Sequence, residues 1–148
     1  MGIFNAIEVS GSALAAERQR AEVIAANMAN ADTTRTPEGG PYRRKQVVFS
    51  STAQSPFRMM LASASGEESN TATASVRVSN VVEDNAPPVM RYDPGHPDAN
   101  SEGYVAYPDI NPVREMADMM DAVRAYQLNA SAVSASKQIV TGAIDILK

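Results

Sequence analysis

The chain has no cysteine and no tryptophan among its 148 residues, and aromatic residues make up only 5% of it. Without cysteine there can be no disulfide framework, no thiolate metal site and no cysteine nucleophile. With so few aromatic residues, a core must be built mainly from Val, Ile, Met and Ala, which pack adaptably but anchor weakly. The length corresponds to one domain's worth of chain.

Basic charge and long apolar runs are also scarce. Lys and Arg total 13 against 17 Asp and Glu, a net charge of −4, which argues against a general nucleic-acid binder. No apolar run approaches the roughly 20 residues of a membrane span, so no direct membrane insertion is expected. The N-terminus lacks a basic stretch followed by a continuous apolar one, so no cleaved secretory signal peptide is expected. The default partner is another protein.

Residues at the N-terminal end follow a heptad pattern, with apolar or small side chains at alternating spacings of four and three. This pattern predicts a long helix that ends near Asn30 to Thr34, because Asn and Asp compete for backbone hydrogen bonds and Pro37 disfavours helical geometry before it. The predicted seam consists of Ile3, Ile7, Ser10, Leu14, Glu17, Ala21, Ile24, Met28 and Ala31.

The C-terminal third predicts a second long helix, from Pro112 to about Leu147. Asn111 is a favourable N-cap and Pro112 a favourable first-turn residue. If the two helices run antiparallel, Lys137 lies near Glu8, and we expect an ion pair there. The predicted seam consists of Met116, Met119, Val123, Tyr126, Ala130, Val133, Lys137, Val140, Ile144 and Leu147.

Residues 36–110 have a β-rich pattern punctuated by proline and glycine. Strands are predicted at residues 42–49, 75–82 and 103–107, and residues 62–75, which are small and polar, are predicted to form a mobile surface loop. The predicted organisation is an N-terminal helix and junction at 1–35, a small β domain at 36–110 and a C-terminal helix at 111–148. The fold class is α+β, with long terminal helices pairing in a coiled-coil-like manner beside a small central β domain.

The two helices carry more apolar surface than that β domain can cover. A helix of thirty residues is about 45 Å long, whereas about 70 residues fold into a body roughly 25 Å across. The helices must pair with each other, and the remaining apolar surface must meet other chains. The alternative is a self-contained helical hairpin, which would suit a soluble cytoplasmic adaptor that binds one partner helix. The predicted interface residues are Ile3, Ile7, Leu14, Ile24, Met28, Met116, Met119, Val123, Tyr126, Val133, Val140, Ile144 and Leu147.

Two clusters could carry chemistry. Asp93, His96 and Asp98 contain the chain's one histidine, which leaves a metal-dependent enzyme as a further alternative, but a metal needs more ligands than these. The Asp93–His96 segment instead predicts a type II turn, with glycine at its third position. The basic run 43–45 is too small for a nucleic-acid site and fits a solvated or partner-facing strand edge. Neither a catalytic residue nor a cofactor is predicted.

Three segments carry a recognisable family pattern: AANMANADTTRTPEGGPYRRKQVVF (25–49), YDPGHPDANSEGYVAYPDINPVREM (92–116) and RAYQLNASAVSASK (124–137). Together they resemble the axial proteins of the bacterial flagellum, and the ANxANxxT pattern alone marks this wider family, which includes rod and hook proteins. The stretches GGPYRRK and YDPGHPDANSEGYVAYPDINP narrow the resemblance to subunits of the proximal rod of the basal body. Ser75 stands where that family would have glycine. The signature residues are Asn27, Asn30, Thr33, Tyr42, Arg43, Arg44, Lys45, Asp93, Pro94, Gly95, His96 and Pro97.

The resemblance implies a non-enzymatic structural subunit. Such proteins pass through the flagellar type III export apparatus without a cleaved signal peptide. They polymerise into the rod that crosses the periplasm as a drive shaft, with their terminal helices forming an inner tube and the β domain outside it. The implied partners are copies of the chain, other rod proteins and the rod-base adaptor of the export gate. The signature residues 27, 30 and 33 are expected to hold the junction after the first helix through backbone hydrogen bonds.

Overall fold

The computed structural model describes residues 3–51 and 75–146, so Leu147 and nearly all of the predicted loop at 62–75 lie outside the described residues. Two long terminal helices pack together, and the chain between them forms two small sheets, which confirms the predicted α+β class. The elements are α1 (Ile3–Ala29), β1 (Lys45–Ser51), β2 (Val76–Glu83), β3 (Val89–Tyr92), β4 (Tyr104–Tyr107) and α2 (Pro112–Ile146).

Helix α1 ends at Ala29, one residue before the predicted range. Asn30 closes the helix, because its side-chain amide donates to the carbonyl of Ala26 at 2.8 Å and competes with further helical turns. The chain then reverses in a compact loop, which the backbone N–H of Tyr42 closes by donating to the carbonyl of Thr33 at 3.0 Å. This loop delivers the chain from the end of α1 to the start of β1.

Glycine is required within that loop. Gly39 and Gly40 have φ values of 90° and 81°, in the left-handed region that residues with a Cβ rarely adopt. The N–H of Thr36 donates to the carbonyl of Gly40 at 2.9 Å, and the N–H of Gly39 donates to the carbonyl of Thr36 at 3.0 Å. The paired glycines therefore form the turn itself.

The strands form two sheets of two strands each. β1 pairs with β2, and the N–H of Asp84 donates to the carbonyl of Arg44 at 2.7 Å just beyond the paired strands. β3 and β4 are antiparallel, with Val89 opposite Tyr107 and Tyr92 opposite Tyr104. β1 begins three residues later than predicted, β2 and β4 begin one residue later, and β3 was not predicted.

Helix α2 begins as predicted. The side-chain oxygen of Asn111 accepts hydrogen bonds from the N–H groups of Val113 at 3.0 Å and Arg114 at 3.3 Å. This N-cap satisfies two of the donors that the first turn leaves without a helical partner. The helix continues through Ile146, the last described residue.

The chain divides into two compact units, each containing parts of both helices. Of the described residues, 3–18, 49–51, 75–79 and 124–146 belong to the first unit, and 19–48 and 80–123 belong to the second. In the first unit, the hydroxyl of Ser12 accepts from the N–H of Val76 at 3.1 Å and donates to the carbonyl of Val9 at 2.8 Å, so α1 is joined to the start of β2. The second unit contains the end of α1, the loop that follows it and the first part of α2.

A buried polar cluster and an exposed apolar stripe

Asn27 lies at the centre of a buried polar cluster in the second unit and is 1% exposed. Its amide nitrogen donates to the carbonyl of Lys45 at 2.8 Å and to a carboxylate oxygen of Glu115 at 3.1 Å. Its amide oxygen accepts from the N–H of Lys45 at 2.9 Å and from the hydroxyl of Tyr42 at 3.2 Å. The side chain therefore uses two donors and two acceptor positions, which is its full hydrogen-bonding capacity. We call Asn27, Tyr42, Arg44, Lys45, Glu115 and Asp118 the polar cluster.

Glu115 is a fully buried carboxylate on the first turn of α2. The guanidinium Nε of Arg44 donates to one of its oxygens at 2.6 Å, and Asn27 donates to the other. A second guanidinium nitrogen of Arg44 lies 3.4 Å from Asp118. A buried carboxylate is tolerated when it is paired and hydrogen-bonded in this way, whereas removal of one partner typically costs about 3–5 kcal/mol. The cluster joins α1, the start of β1 and α2.

Tyr42 connects the cluster to the surface. Burial, with added repulsion from the negative charges of Glu83 and Glu115, raises the pKa of its phenol above the ordinary value of 10.0. The Lys45 ammonium lies 5.8 Å from the centre of the ring and 3.6 Å from Glu83. The phenol of Tyr42 therefore remains neutral at neutral pH, and its O–H donates a hydrogen bond to the amide oxygen of Asn27.

The signature residues do not share one role. Asn27 and Asn30 make the backbone hydrogen bonds expected of them, whereas the hydroxyl of Thr33 donates to the side chain of Asn30 at 3.1 Å. Arg43 is not part of the polar cluster and instead donates to the side chain of Asn85 at 3.3 Å on the exposed surface. Of the three consecutive basic residues, only Arg44 has its charged group at the buried carboxylate.

The segment from Asp93 to Asp98 forms a turn, but not the predicted type II turn. Gly95 is not among the glycines with positive φ, which a type II turn requires at its third position. Instead, a side-chain oxygen of Asp93 accepts from the N–H of Gly95 at 3.3 Å. The Nδ1 of His96 accepts from the N–H of Asp98 at 3.1 Å, and Asp98 accepts from the hydroxyl of Thr34 at 2.8 Å. The described residues contain no group of acidic and histidine side chains suited to a metal ion.

The buried face of α2 is shifted from the predicted seam by one residue position at two points. Glu115 and Ala122 are buried, whereas the seam residues Met116 and Val123 are 53% and 44% exposed. The other seam positions vary. Ile24 is buried, Ile3, Ile7, Leu14, Met28, Met119, Val133 and Val140 are half-buried, and Tyr126 and Ile144 are exposed. Lys137 and Glu8 are both described and both exposed, and the ion pair predicted between these two residues is absent.

Exposed apolar residues form a stripe on the first part of α2. Val113, Met116, Met120 and Val123 follow a spacing of three, four and three, and each is between 44% and 75% exposed. We call these four residues the apolar stripe. Beside it, an open groove is lined by Ala25, Met28, Met116, Met119 and Met120. No helix in the described part of the chain is long and apolar enough to span a membrane. Exposed apolar surface at heptad spacing is typical of a helix that packs against other helices.

The fold and these surfaces are typical of a structural protein whose helices pack against other helices. Two family models match the chain, one described as "Flagella basal body rod protein" at residues 7–35 and one as "Flagellar basal body rod FlgEFG protein C-terminal" at residues 101–145. They correspond to most of α1 and its junction, and to β4 with nearly all of α2. The class is therefore that of the flagellar rod proteins.

Full-length relatives identify the particular family. The chain is 39% identical to a protein of Borreliella burgdorferi over 100% of its own length and 99% of that protein. It is 40% identical to a Bacillus subtilis protein over the full length of both, and 40% identical to an Escherichia coli O157:H7 protein over 95% and 94%. All three are named flagellar basal-body rod protein FlgC. The chain belongs to the FlgC family of flagellar basal-body rod proteins.

Membership of this family decides between the alternatives that the sequence left open. The chain is a structural subunit of the basal-body rod and not an enzyme, so neither the metal-dependent enzyme nor the cytoplasmic adaptor is supported. The family also implies assembly with other rod proteins. His96 and its neighbouring carboxylates are accordingly parts of a turn.

Proposed function

We propose that the apolar stripe and the adjoining groove are surfaces through which this subunit joins its neighbours in the rod. The observation that carries this proposal is the exposure of Val113, Met116, Met120 and Val123 at heptad spacing, while the same helix buries a glutamate. A chain that functioned alone would gain by turning these residues inward, since full burial of each is worth about 1.5–3 kcal/mol. Methionine suits such a surface because its flexible side chain adapts to differently shaped partners.

The occupants that we propose are helices of other copies of this chain and of other rod proteins. The remaining predicted interface positions, at Ile3, Ile7, Leu14, Ile24, Met28, Met119, Tyr126, Val133, Val140, Ile144 and Leu147, would contribute to helix packing within or between subunits. The helices would then form the inner tube, with the domain at 36–110 outside it. Torque would pass along the rod through these packed helices.

We also propose the route and the first neighbours. The chain would pass through the type III export apparatus and join the part of the rod that crosses the periplasm. Its neighbour at the base would be the rod-base adaptor of the export gate. The small number of buried apolar residues in the described part of the chain supports this route, because a marginal fold is easily kept unfolded for export.

The test of the stripe uses a matched pair of exposed positions on α2. We expect Met120→Glu to prevent incorporation into isolated basal bodies and to abolish swimming when the variant replaces the native protein in its host. Arg114→Glu, which changes the charge more but lies on a different side of the helix from the stripe, should assemble. Far-UV circular dichroism of both purified variants controls for folding. Normal assembly of Met120→Glu would contradict the proposal.

A further inference from the structure

We propose that the polar cluster sets the register of the two helices. It selects the face of α2 that packs against α1. This inference concerns the interior of the second unit and is independent of what the exposed stripe binds. Its basis is the burial of Glu115 and Ala122 in place of the more apolar residues Met116 and Val123, each one position further along the helix.

The apolar pattern of α2 by itself favours a different face. Rotation of the helix by about one residue position, roughly 100°, would bury Met116 and Val123 and would expose Glu115 and Ala122. Hydrophobic burial alone would select that arrangement. The observed face is therefore selected by something else that acts on the same turns of the helix.

Apolar packing near this site specifies the register only weakly. The groove beside it is lined by one alanine and four methionines. Methionine adapts to many neighbours, and alanine presents almost no shape that a shifted partner would clash with. Helices that meet through such side chains can rotate or slide with little loss of contact.

The polar cluster, in contrast, is satisfied in one arrangement. Asn27 uses both donors and both acceptor positions, and they reach the two backbone groups of Lys45, the hydroxyl of Tyr42 and the carboxylate of Glu115. Arg44 reaches that same carboxylate and Asp118, one helical turn away. Rotation of α2 would remove Glu115 from Asn27 and leave a buried donor without a partner, which proteins rarely tolerate. A single buried polar group sets the register of coiled coils in the same way.

The absence of cysteine from the chain permits a direct test with engineered thiols. Ala122→Cys places a thiol on the buried face, and Val123→Cys places the matched control on the exposed face. Each is made in the otherwise unchanged chain and in a variant whose cluster is apolar (Asn27→Leu, Arg44→Met and Glu115→Met together). The measurement is the rate of reaction with a maleimide under native conditions.

With the polar cluster intact, the thiol of the Val123→Cys variant should react at least about tenfold faster than that of the Ala122→Cys variant, because a buried thiol reacts only after local opening. In the apolar variant with retained helical circular dichroism, the ratio should fall to about one or invert, since α2 is free to turn its apolar face inward. An unchanged ratio in the folded apolar variant would overturn the proposal, as would equal rates with the cluster intact.

A milder variant keeps the test decisive if the apolar variant does not fold. Glu115→Gln preserves the shape of the side chain but removes the charge that Arg44 binds. The polar cluster then loses the ion pair between Arg44 and Glu115, and the ratio of the two reaction rates should fall severalfold. If Glu115→Gln leaves the ratio unchanged, the ion pair does not contribute to the register and the proposal is wrong.

Discussion

At the scale of single residues, Asn27 shows why an amide is required where a carboxylate of the same shape would fail. Asn27→Asp would replace the NH2 group, which makes both donor contacts, with one oxygen that faces the carbonyl of Lys45 and the carboxylate of Glu115. We expect this change to lower the free energy of unfolding by about 3–5 kcal/mol, because it places an unpaired charge in a buried site.

The matched control is Asn30→Asp, in the same signature but at a less buried position. It loses one hydrogen bond to Ala26 and should cost only about 1 kcal/mol. Urea denaturation of the two variants beside the unchanged protein measures the difference. Equal losses of unfolding free energy in the two variants would show that the buried hydrogen bonds of Asn27 contribute no more to stability than the single bond of Asn30.

Tyr42 leads to a prediction for alkaline pH. Its pKa is raised above 10.0 in the folded chain, so the folded state holds this proton to higher pH than the unfolded state does. The stability that this difference contributes is fully present below about pH 10 and is lost as the pH rises through the folded pKa. Tyr42→Phe should lower stability by about 1 kcal/mol at neutral pH, because the hydrogen bond to Asn27 is lost.

The same variant should also show a weaker decline of stability above about pH 10 than the unchanged chain, since the titrating group is gone. Denaturation midpoints measured across this range test the prediction. Parallel declines in both proteins would mean that Tyr42 does not titrate differently in the two states.

Residue-level predictions from sequence succeeded where the partners are local. Asn111 as an N-cap depends on groups two and three residues away, and the structure has those bonds. Glu115 was not predicted to be buried, because its partners Asn27 and Arg44 are 88 and 71 residues away in sequence and a lone glutamate favours solvent. The type II turn failed because the side chain of Asp93 stabilises a different backbone geometry at Gly95.

At the scale of elements, two glycines in open surroundings should respond to alanine with opposite signs. In the described part of the chain, a Cβ at Gly11 or at Gly40 would meet nothing within 4 Å. Gly11 lies inside α1, where alanine favours the helix by about 0.8–1 kcal/mol, so Gly11→Ala should stabilise the chain. Gly40 has a φ of 81°, so Gly40→Ala should destabilise it by about 1–2 kcal/mol.

Thermal or urea unfolding of these two variants, measured on the purified chain, gives the two signs directly. The pair separates backbone conformation from packing, since neither site has a neighbour among the described residues to clash with. Changes of the same sign would mean that conformational preference does not control stability at one of the two positions.

The elements themselves could be predicted to different degrees. Both helices were predicted within a few residues, because their patterns are long and their ends carry local signals such as Asn30 and Asn111. Strand β3 was missed, since four residues after two prolines give little periodicity. The seam of α2 was displaced by one residue at Met116 and Val123, because a periodic pattern cannot reveal that a paired glutamate occupies the buried position.

At the scale of the whole molecule, the described part of the chain has a small apolar core. Its buried hydrophobic residues are Ala16, Ile24, Val105 and Ala122, two of them alanines. A core of this size gives little stability, and most helical stability comes from tertiary packing of an apolar face. The polar cluster and the exposed apolar stripe then have complementary consequences. In our proposals, the polar cluster specifies one arrangement of the second unit, and the apolar stripe leaves the helices incompletely stabilised until other chains cover them.

This distribution predicts unequal hydrogen exchange along the helices of the purified chain. The parts of α1 and α2 in the second unit, residues 19–29 and 112–123, contain Ile24, Asn27, Glu115 and Ala122, all buried. The parts in the first unit, residues 3–18 and 124–146, have one buried residue among them, Ala16. Amides at 3–18 and 124–146 should therefore exchange faster by about one to two orders of magnitude, because local opening there disrupts fewer buried contacts.

Assembly should remove this difference. In isolated basal bodies the same amides should become protected, since neighbouring chains would cover the apolar residues that the free subunit exposes. Uniform protection along both helices of the free chain would mean that the hairpin is stable alone, and its apolar stripe would then not be needed for helix order. Fast exchange at residues 19–29 and 112–123 in the free chain would instead count against the polar cluster as a stabilising element. The two outcomes therefore test separately the completeness of the hairpin and the contribution of its buried polar groups.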